Sequence, residues 1–307
     1  MRKINIYWLV LSIFLCVACA GNDNIGDVEP LSPDYKLPQG KSPADDRIVE
    51  YYDQYGTYIL YEYTNDDIHY GSYYEYTYNL PDPQYVGNML DLLEDIWFDL
   101  YPIEFHRKYM PYAIFLTADL NGPLGPVFSY DGTSSLVLGK CSEELEKITA
   151  ETKFAYKKEL QIALWNMWLN KSVFEFPDEF FKVSDYSRTA DADPSSPNYA
   201  RNRGFVAHYQ MGEWSLFPTD WMTGTLGDVL DLSAFIMSMI SRTSDEWASD
   251  LTYPLVKKKY DILQNYFLKT YKFKKYREYC LLVQCGCCMC TGYHPVHHIK
   301  TNVLELV

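Results

Sequence analysis

The chain has 307 residues and a formal net charge of −14 at pH 7. A chain this acidic repels nucleic acid and anionic lipid surfaces, and the sequence has no basic stripe with interleaved aromatic residues. We therefore expect no nucleic-acid partner. The length suits one domain, or two closely packed subdomains, together with terminal segments.

The first residues have the pattern of an export signal. Two basic residues precede an apolar run from Ile6 to Ala18, and a run of about a dozen residues is too short to span a bilayer. The small Ala18 before Cys19 is typical of lipoprotein processing, in which the cysteine thiol receives a diacylglycerol. Cys16 stands where such signals usually have leucine, so an ordinary secretory peptide is the alternative. We expect a lipoprotein signal peptide over 1–18 and lipidation of Cys19.

Three further segments follow the predicted signal peptide. Residues 19–47 contain several prolines and no apolar periodicity, which predicts a flexible tether. Residues 48–279 carry the periodic patterns of a folded domain, and residues 280–307 form an irregular tail rich in cysteine and histidine. A lipid on a tether anchors a protein to the membrane without spanning it.

The predicted elements of the domain are mostly helices, with the strands near its start. In chain order they are a helix over 48–55, strands over 57–63 and 73–78, a helix over 84–101, strands over 112–116 and 134–139, helices over 142–170 and 177–183, a polar loop over 184–203, and helices over 228–241 and 253–271. This order predicts an α+β fold, mostly helical with a small early β-sheet.

Tyrosine is unusually frequent in the early part of the domain. Twelve of the 29 tyrosines lie between Tyr51 and Tyr85. Tyrosine is favoured in β-strands, which explains the cluster structurally. The alternative is a glycan-binding module, because aromatic faces stack on sugar rings.

Five segments carry a resemblance to a known family. They are 105–111, the long helix through Lys158-Glu159, 177–181, 204–206 and the late helix 231–240. Over about 48–279 their order and spacing resemble a family of zinc-binding metallopeptidase lipoproteins, also described as substrate-import-associated zinc metallohydrolase lipoproteins. The resemblance implies a zincin-like metallopeptidase frame, zinc as the cofactor, and an outer-membrane location beside TonB-dependent uptake components.

The family's chemistry depends on His-Glu-x-x-His in the long helix, with a third ligand from the late helix. Two histidines one turn apart bind Zn²⁺ and the glutamate polarises the attacking water. By alignment, Lys158 and Ile162 replace the histidines, Glu159 remains, and Ala234 occupies the late-helix position. A protonated lysine repels the cation, and isoleucine has no donor atom. We therefore expect no metal at Lys158, Ile162 or Ala234, and a vestigial general base at Glu159.

This leads to the hypothesis of a catalytically inactive accessory or binding component of a nutrient-uptake system, without a cofactor and with a peptide or glycan ligand. The first alternative is an active zinc hydrolase with displaced ligands, which needs His106, His208, Glu159 or Asp231 to converge within ligand reach. A carboxylate pair for glycoside hydrolysis also stays open. The sequence has no Gly-x-Ser-x-Gly, Walker-type or Rossmann motif.

The tail allows three interpretations. Cys285, Cys287, Cys288 and Cys290, followed by three histidines, have the composition of a soft-metal site. Paired Cys-x-x-Cys blocks are missing, and an oxidising envelope would favour disulfides instead. A frameshifted or poorly selected C-terminus is the interpretation we favour.

Overall fold

A computed structural model of the chain describes residues 35–69, 76–132, 134–210, 213–215 and 227–273. The predicted signal peptide, Cys19, most of the predicted tether and the whole predicted tail lie outside the described residues. Within the described ranges, no helix is both long and apolar enough to cross a membrane.

The described part of the chain contains nine α-helices and nine strands. The helices are α1 (Asp45–Tyr55), α2 (Asn65–His69), α3 (Val86–Ile96), α4 (Ile103–Tyr109), α5 (Ala150–Asn170), α6 (Asp178–Phe181), α7 (Gly227–Ser241), α8 (Ser244–Ala248) and α9 (Pro254–Tyr266). The strands are β1 (Tyr58–Leu60), β2 (Thr77–Asn79), β3 (Ala113–Leu116), β4 (Asp119–Gly122), β5 (Gly125–Pro126), β6 (Ser129–Asp131), β7 (Ser135–Leu138), β8 (His208–Gln210) and β9 (Glu213–Ser215). The predicted α+β class, mostly helical, is confirmed.

The main sheet has four strands in the order β1-β3-β7-β6. The first three strands are parallel, with Ile59 opposite Ile114 and Ile114 opposite Leu136. Strand β6 is antiparallel to β7 and lies at one end of this order. Almost every residue of the parallel strands is buried, which is the pattern of a parallel sheet covered on both faces. Strands β2, β4 and β5 form a second, antiparallel sheet, and β8 pairs with β9.

Helix α5 is the longest helix and begins at a side-chain cap. The hydroxyl of Thr149 accepts a hydrogen bond from the backbone N–H of Thr152 at 3.1 Å, which satisfies one of the free donors of the first turn. The helix packs against α3, α7 and β6. Near its C-terminal end, Trp165 and Trp168 are buried in an aromatic cluster with residues such as Phe174.

A buried polar chain fixes the rotation of α5 against its neighbours. The side-chain amide of Gln161 donates to the carbonyl of Ile96 at 2.8 Å, and its oxygen accepts from the hydroxyl of Tyr101 at 2.5 Å. The indole N–H of Trp165 donates to the same tyrosine oxygen at 3.0 Å. Each of these buried polar groups therefore has a partner, as an aromatic interior requires.

The strands of the Gly/Pro-rich segment after β3 were not predicted. Strands β4, β5 and β6 lie between 119 and 131, where turn residues hide the alternation that marks longer strands. Strand 57–63 was predicted too long, because pairing with β3 covers only Tyr58–Leu60. The predicted strand 73–78 lies partly outside the described residues, and its described part pairs over Thr77–Asn79.

Residues before 48 also contact the folded domain, within the segment predicted as a tether. The amide of Gln39 donates to the carbonyl of Glu62 at 2.6 Å. The buried carboxylate of Asp45 accepts from the N–H of Gly40 at 2.8 Å, from that of Ser42 at 3.2 Å and from the hydroxyl of Tyr61 at 2.8 Å. These polar contacts hold residues 39–45 to the domain. Because the contacts are polar, the sequence shows no apolar periodicity from which this packing could be predicted.

Replacing Asp45 by asparagine should destabilise the domain. The asparagine amide keeps one acceptor oxygen, but its NH₂ group faces N–H and O–H donors that the carboxylate accepted from. Because these buried donors lose their acceptor, we expect the free energy of unfolding to fall by ~1–3 kcal/mol. Urea unfolding monitored by tryptophan fluorescence measures the change. The control is Asp46→Asn at the exposed neighbour on the same helix, which should change stability by less than ~0.5 kcal/mol. Equal losses in both variants would contradict the anchoring role of Asp45.

Candidate functional site

Glu159, which the sequence resemblance aligns with the motif glutamate, is hydrogen-bonded to the backbone at the edge of the main sheet. One of its carboxylate oxygens, Oε1, accepts hydrogen bonds from the N–H of Phe128 at 2.6 Å and from the N–H of Ser129 at 3.0 Å. The ring of Phe128 also stacks on Tyr156, one turn earlier on α5, with centroids 4.4 Å apart and an interplanar angle of 5°. Glu159 therefore joins α5 to the start of β6.

The positions aligned with the zinc ligands do not fit a zinc ion. Ile162 packs against the hydrophobic core, and Ala234 is completely buried. Both side chains contain only carbon, whereas a catalytic zinc site needs three nitrogen, oxygen or sulfur ligands from the protein. Lys158 adds an amine rather than an imidazole. The residues at these positions therefore do not match the cofactor that the family resemblance implies.

The displaced ligand set does not assemble among the described side chains. His106 is buried, with Nε2 at 2.9 Å from the carbonyl oxygen of Phe98 and aromatic rings around it. Across the side chains that the structure describes, no three His, Cys, Asp or Glu residues are grouped so that they could hold a metal ion. His106, Glu159 and Asp231 thus do not share a site. The side chain of His208 and the tail residues Cys285, Cys287, Cys288 and Cys290 lie outside the described residues.

Asp231 instead forms a buried cluster with Lys259 and Tyr186. The Asp231 and Lys259 side chains are fully buried, and Nζ lies 2.5 Å from Oδ2. The hydroxyl of Tyr186 donates to the same oxygen at 2.6 Å. Four aromatic rings surround Nζ with centroids at 4.8–5.5 Å, and they belong to Phe180, Tyr186, Phe205 and Phe235.

Burial dominates the ionisation of both partners. It raises the pKa of the Asp231 carboxyl, against the opposing attraction of Lys259. It lowers the pKa of the Lys259 ammonium, against the opposing attraction of Asp231. Both shifts favour the uncharged forms, because removal from water penalises the charged state of any group.

Sequence reasoning missed this cluster. Three consecutive lysines, Lys257 to Lys259, suggest an exposed side of the last helix, but Lys259 is buried. Its spacing was the available signal, since Val256 lies three residues before it and Leu263 four residues after it. Those two positions are buried, and residues three and four apart share a face of a helix.

The polar loop 184–203 is fixed at its end by a third buried carboxylate. Asp250 accepts from Nε of Arg201 and, at 2.8 Å, from Nη1 of Arg242. The hydroxyl of Ser184 also donates to the carbonyl of Arg203 at 2.7 Å. These bonds tie the end of the loop to α7 and to the turn after α8.

A cavity of about 760 Å³ lies where the C-terminal ends of α4, α5 and α9 meet. This volume falls in the range of small-molecule sites. Its lining combines both signs of charge with aromatic rings, namely Lys108, Lys171, Glu175, Tyr109, Tyr266 and Tyr271. The cavity was not predicted, because its walls come from three separate segments.

The described tyrosines of the early cluster support the framework. Tyr58 and Tyr61 are buried. Neighbouring rings are tilted, at 38° between Tyr63 and Tyr78 and at 40° between Tyr52 and Tyr58. Tyr51 and Tyr55 are nearly parallel, at 13°, but Tyr51 is buried. Three tyrosines of the cluster, at 70, 73 and 74, lie outside the described residues.

Lys157, beside the motif positions, is also buried. Only 8% of its surface is exposed, and burial lowers its pKa to about 8, partly offset by the attraction of Asp95. Asp95 already pairs with Lys153 at 2.7 Å. The buried face of α5 thus carries a lysine where an ordinary amphipathic helix would carry an apolar residue.

Neither family models nor curated proteins match this sequence. Among solved structures, it is similar to the crystal structure of a putative zinc-binding metallo-peptidase from Bacteroides caccae ATCC 43185. The identity is 14%, the alignment covers 74% of this chain and 85% of that chain, and the TM-score is 0.45. At these values the function of that protein does not carry over to this chain.

Replacing Glu159 by glutamine should lower the free energy of unfolding. A neutral amide oxygen is a weaker acceptor for the two N–H groups, so we expect a loss of ~1–2 kcal/mol. Urea unfolding provides the measurement. Glu151→Gln, at an exposed position on the same helix, is the control for charge removal. Stability unchanged from the wild type in Glu159→Gln would show that these hydrogen bonds do not hold α5 to the sheet.

Replacing Lys157 by methionine should stabilise the protein at pH 7, and this advantage should shrink at high pH. The unfolded lysine keeps its proton to about 10.5, whereas the folded one loses it near 8. Between these values the unfolded state binds more protons, so wild-type stability rises with pH. The advantage at pH 7 is at most ~3 kcal/mol. Unfolding midpoints at pH 7 and pH 10 test this, with Lys158→Met as the neighbouring control. An advantage that grows with pH would contradict the direction of the shift.

Proposed function

We propose that this chain is a catalytically inactive, lipid-anchored binding protein of the bacterial cell envelope, serving as an accessory component of outer-membrane nutrient uptake. One observation carries the proposal of inactivity. The carboxylate of Glu159 is engaged by two backbone N–H groups while Ile162 and Ala234 offer no ligand atoms.

In zinc hydrolases the catalytic glutamate depends on the metal ion beside it. Their glutamate acts on a water molecule that the metal has already acidified, so it needs both the metal and a carboxylate oxygen free for the proton. The sheet engages Oε1 of Glu159 and leaves Oε2, but neither residue 158 nor residue 162 is a histidine that could hold a metal beside it. A structural acceptor is the simpler role for this residue.

The proposed location rests on the N-terminal sequence. The signal peptide over 1–18 and the cysteine at 19 support lipidation, and the polar segment that follows supports display away from the membrane surface. A TonB-dependent transporter is the proposed partner through the family resemblance. A peptide or a glycan is the proposed ligand.

The cavity between α4, α5 and α9 is the place where we propose such a ligand binds. Lysine and glutamate side chains on its wall can pair with charged groups, and its tyrosine rings offer apolar surface and hydroxyls. Binding there requires no contribution from Glu159, which keeps binding separate from the lost catalytic positions.

Zinc content and hydrolysis test the proposal against an active hydrolase. The full chain and a variant with Cys285, Cys287, Cys288 and Cys290 changed to serine should be compared after dialysis against zinc. We expect no stoichiometric zinc in the serine variant, and no casein hydrolysis above that of Glu159→Gln in either protein. One zinc per chain in the serine variant, with hydrolysis lost in Glu159→Gln, would establish the alternative of an active metallohydrolase.

Cys19→Ala should abolish lipid attachment. In cells fed radiolabelled palmitate, label should enter the wild-type chain and the Cys16→Ala control but not the Cys19→Ala variant, and only the variant should leave the membrane fraction. Label retained in Cys19→Ala and lost in Cys16→Ala would move the modification site. Label absent from all three proteins would indicate an ordinary secretory signal.

A further inference from the structure

Helices α7 and α9 are joined by a short, fully buried contact between an amine and a carboxyl group. Asp231 and Lys259 are both completely buried, and the amine nitrogen lies 2.5 Å from Oδ2 of the carboxyl group. We propose that these two side chains condense into an intramolecular isopeptide bond, so that a covalent amide joins α7 to α9. This inference is independent of the proposed function.

The positions of the atoms meet the first requirement of such a bond. Because Oδ2 is bonded to Cγ, an Nζ atom 2.5 Å from Oδ2 is also close to the carbon that it must attack. Both side chains extend from helices and are enclosed by packed rings, so the nucleophile and the carbon stay together. Because the two groups are held together within one molecule, the reaction does not require a collision between them, and much of its entropic barrier is removed.

The surroundings supply the second requirement, which is the reactive ionisation state. An amine attacks only through its free lone pair, and a carboxyl group loses its oxygen only when it is protonated. Burial raises the pKa of Asp231 and lowers that of Lys259, which favours the protonated acid and the neutral amine. The four rings around Nζ also exclude the water that would reverse the reaction.

The step balances without any further reactant. The lone pair of Lys259 Nζ forms a bond to Cγ of Asp231, and the bond from Cγ to Oδ2 breaks. Oδ2 leaves as water with the acid proton and one proton from the amine nitrogen, while Oδ1 remains as the amide oxygen. The hydroxyl of Tyr186 donates to Oδ2 at 2.6 Å, so it points at the oxygen that departs. Tyr186 is a positioning residue in this scheme.

The unpartnered oxygen of Asp231 favours the amide over a permanent ion pair. Among the groups that the structure describes, Oδ1 has no hydrogen-bond partner although it is buried. An ionised carboxylate with a bare oxygen in an apolar site costs more than a neutral amide oxygen in the same place. The same holds for Lys259, since a buried ion pair rarely recovers the full desolvation penalty of its two charges.

Tryptic mass spectrometry of the purified full chain tests the bond directly. Trypsin does not cut after an acylated lysine, so peptide 204–242 should appear joined to peptide 259–269. The joined species should be lighter than the sum of the two peptides by one water molecule, and fragmentation should place the link between Asp231 and Lys259. Recovery of these two regions only as separate peptides, from protein that shows a cooperative unfolding transition, would overturn the proposal.

Two variants identify the residues involved. Lys259→Met should contain no joined peptide, whereas Lys258→Met, at the exposed neighbour, should keep it at the wild-type fraction. A joined peptide of the same mass loss in Lys259→Met would refute the assignment to Lys259. Tyr186→Phe should lower the joined fraction severalfold at early times after expression. An unchanged fraction would refute the role of Tyr186.

Discussion

The hydrogen bonds from two backbone N–H groups to Glu159 are the interaction on which the structure and its functional interpretation both depend. The edge strand of a sheet presents backbone groups that must find partners. Here a carboxylate on the longest helix supplies an acceptor where that strand begins, so the helix and the main sheet are held together at one point. The same bonds occupy one of the two oxygens of the carboxylate that aligns with the catalytic glutamate of zinc hydrolases.

Buried carboxylates recur at the junctions between segments. Asp45 holds the residues before the first helix, Asp250 holds the end of the polar loop, and Asp231 lies between α7 and α9. Each lies where irregular backbone or separate helices must meet without an extended apolar face. A buried polar group is costly when it lacks hydrogen-bond partners, so each junction has a defined geometry. Polar contacts therefore determine how the segments around the hydrophobic core are placed.

The sequence predicted those parts of the fold that depend on apolar periodicity. Helices α7 and α9 and the parallel strands follow directly from it, because burial on one face or both leaves a regular pattern. The long helix was expected from residue 142, whereas α5 begins at Ala150. The sequence did not predict the packing of Gln39 or Asp45, nor the burial of Lys259. The sequence around a polar side chain does not show whether the fold will place a hydrogen-bond partner beside it. The Glu159 position was predicted, but its contact with Phe128 was not, because the two lie 31 residues apart.

The central claim is that Glu159 is a structural acceptor and that its surroundings hold no zinc. Anomalous diffraction from crystals of the full chain soaked in zinc tests this most directly. We expect Oε1 of Glu159 to stay within hydrogen-bond distance of the Phe128 and Ser129 nitrogens, with no anomalous peak near Lys158, Glu159 or Ile162. A peak at ~2 Å from a Glu159 oxygen or from a nearby nitrogen, the length of a zinc–ligand bond, would contradict the account.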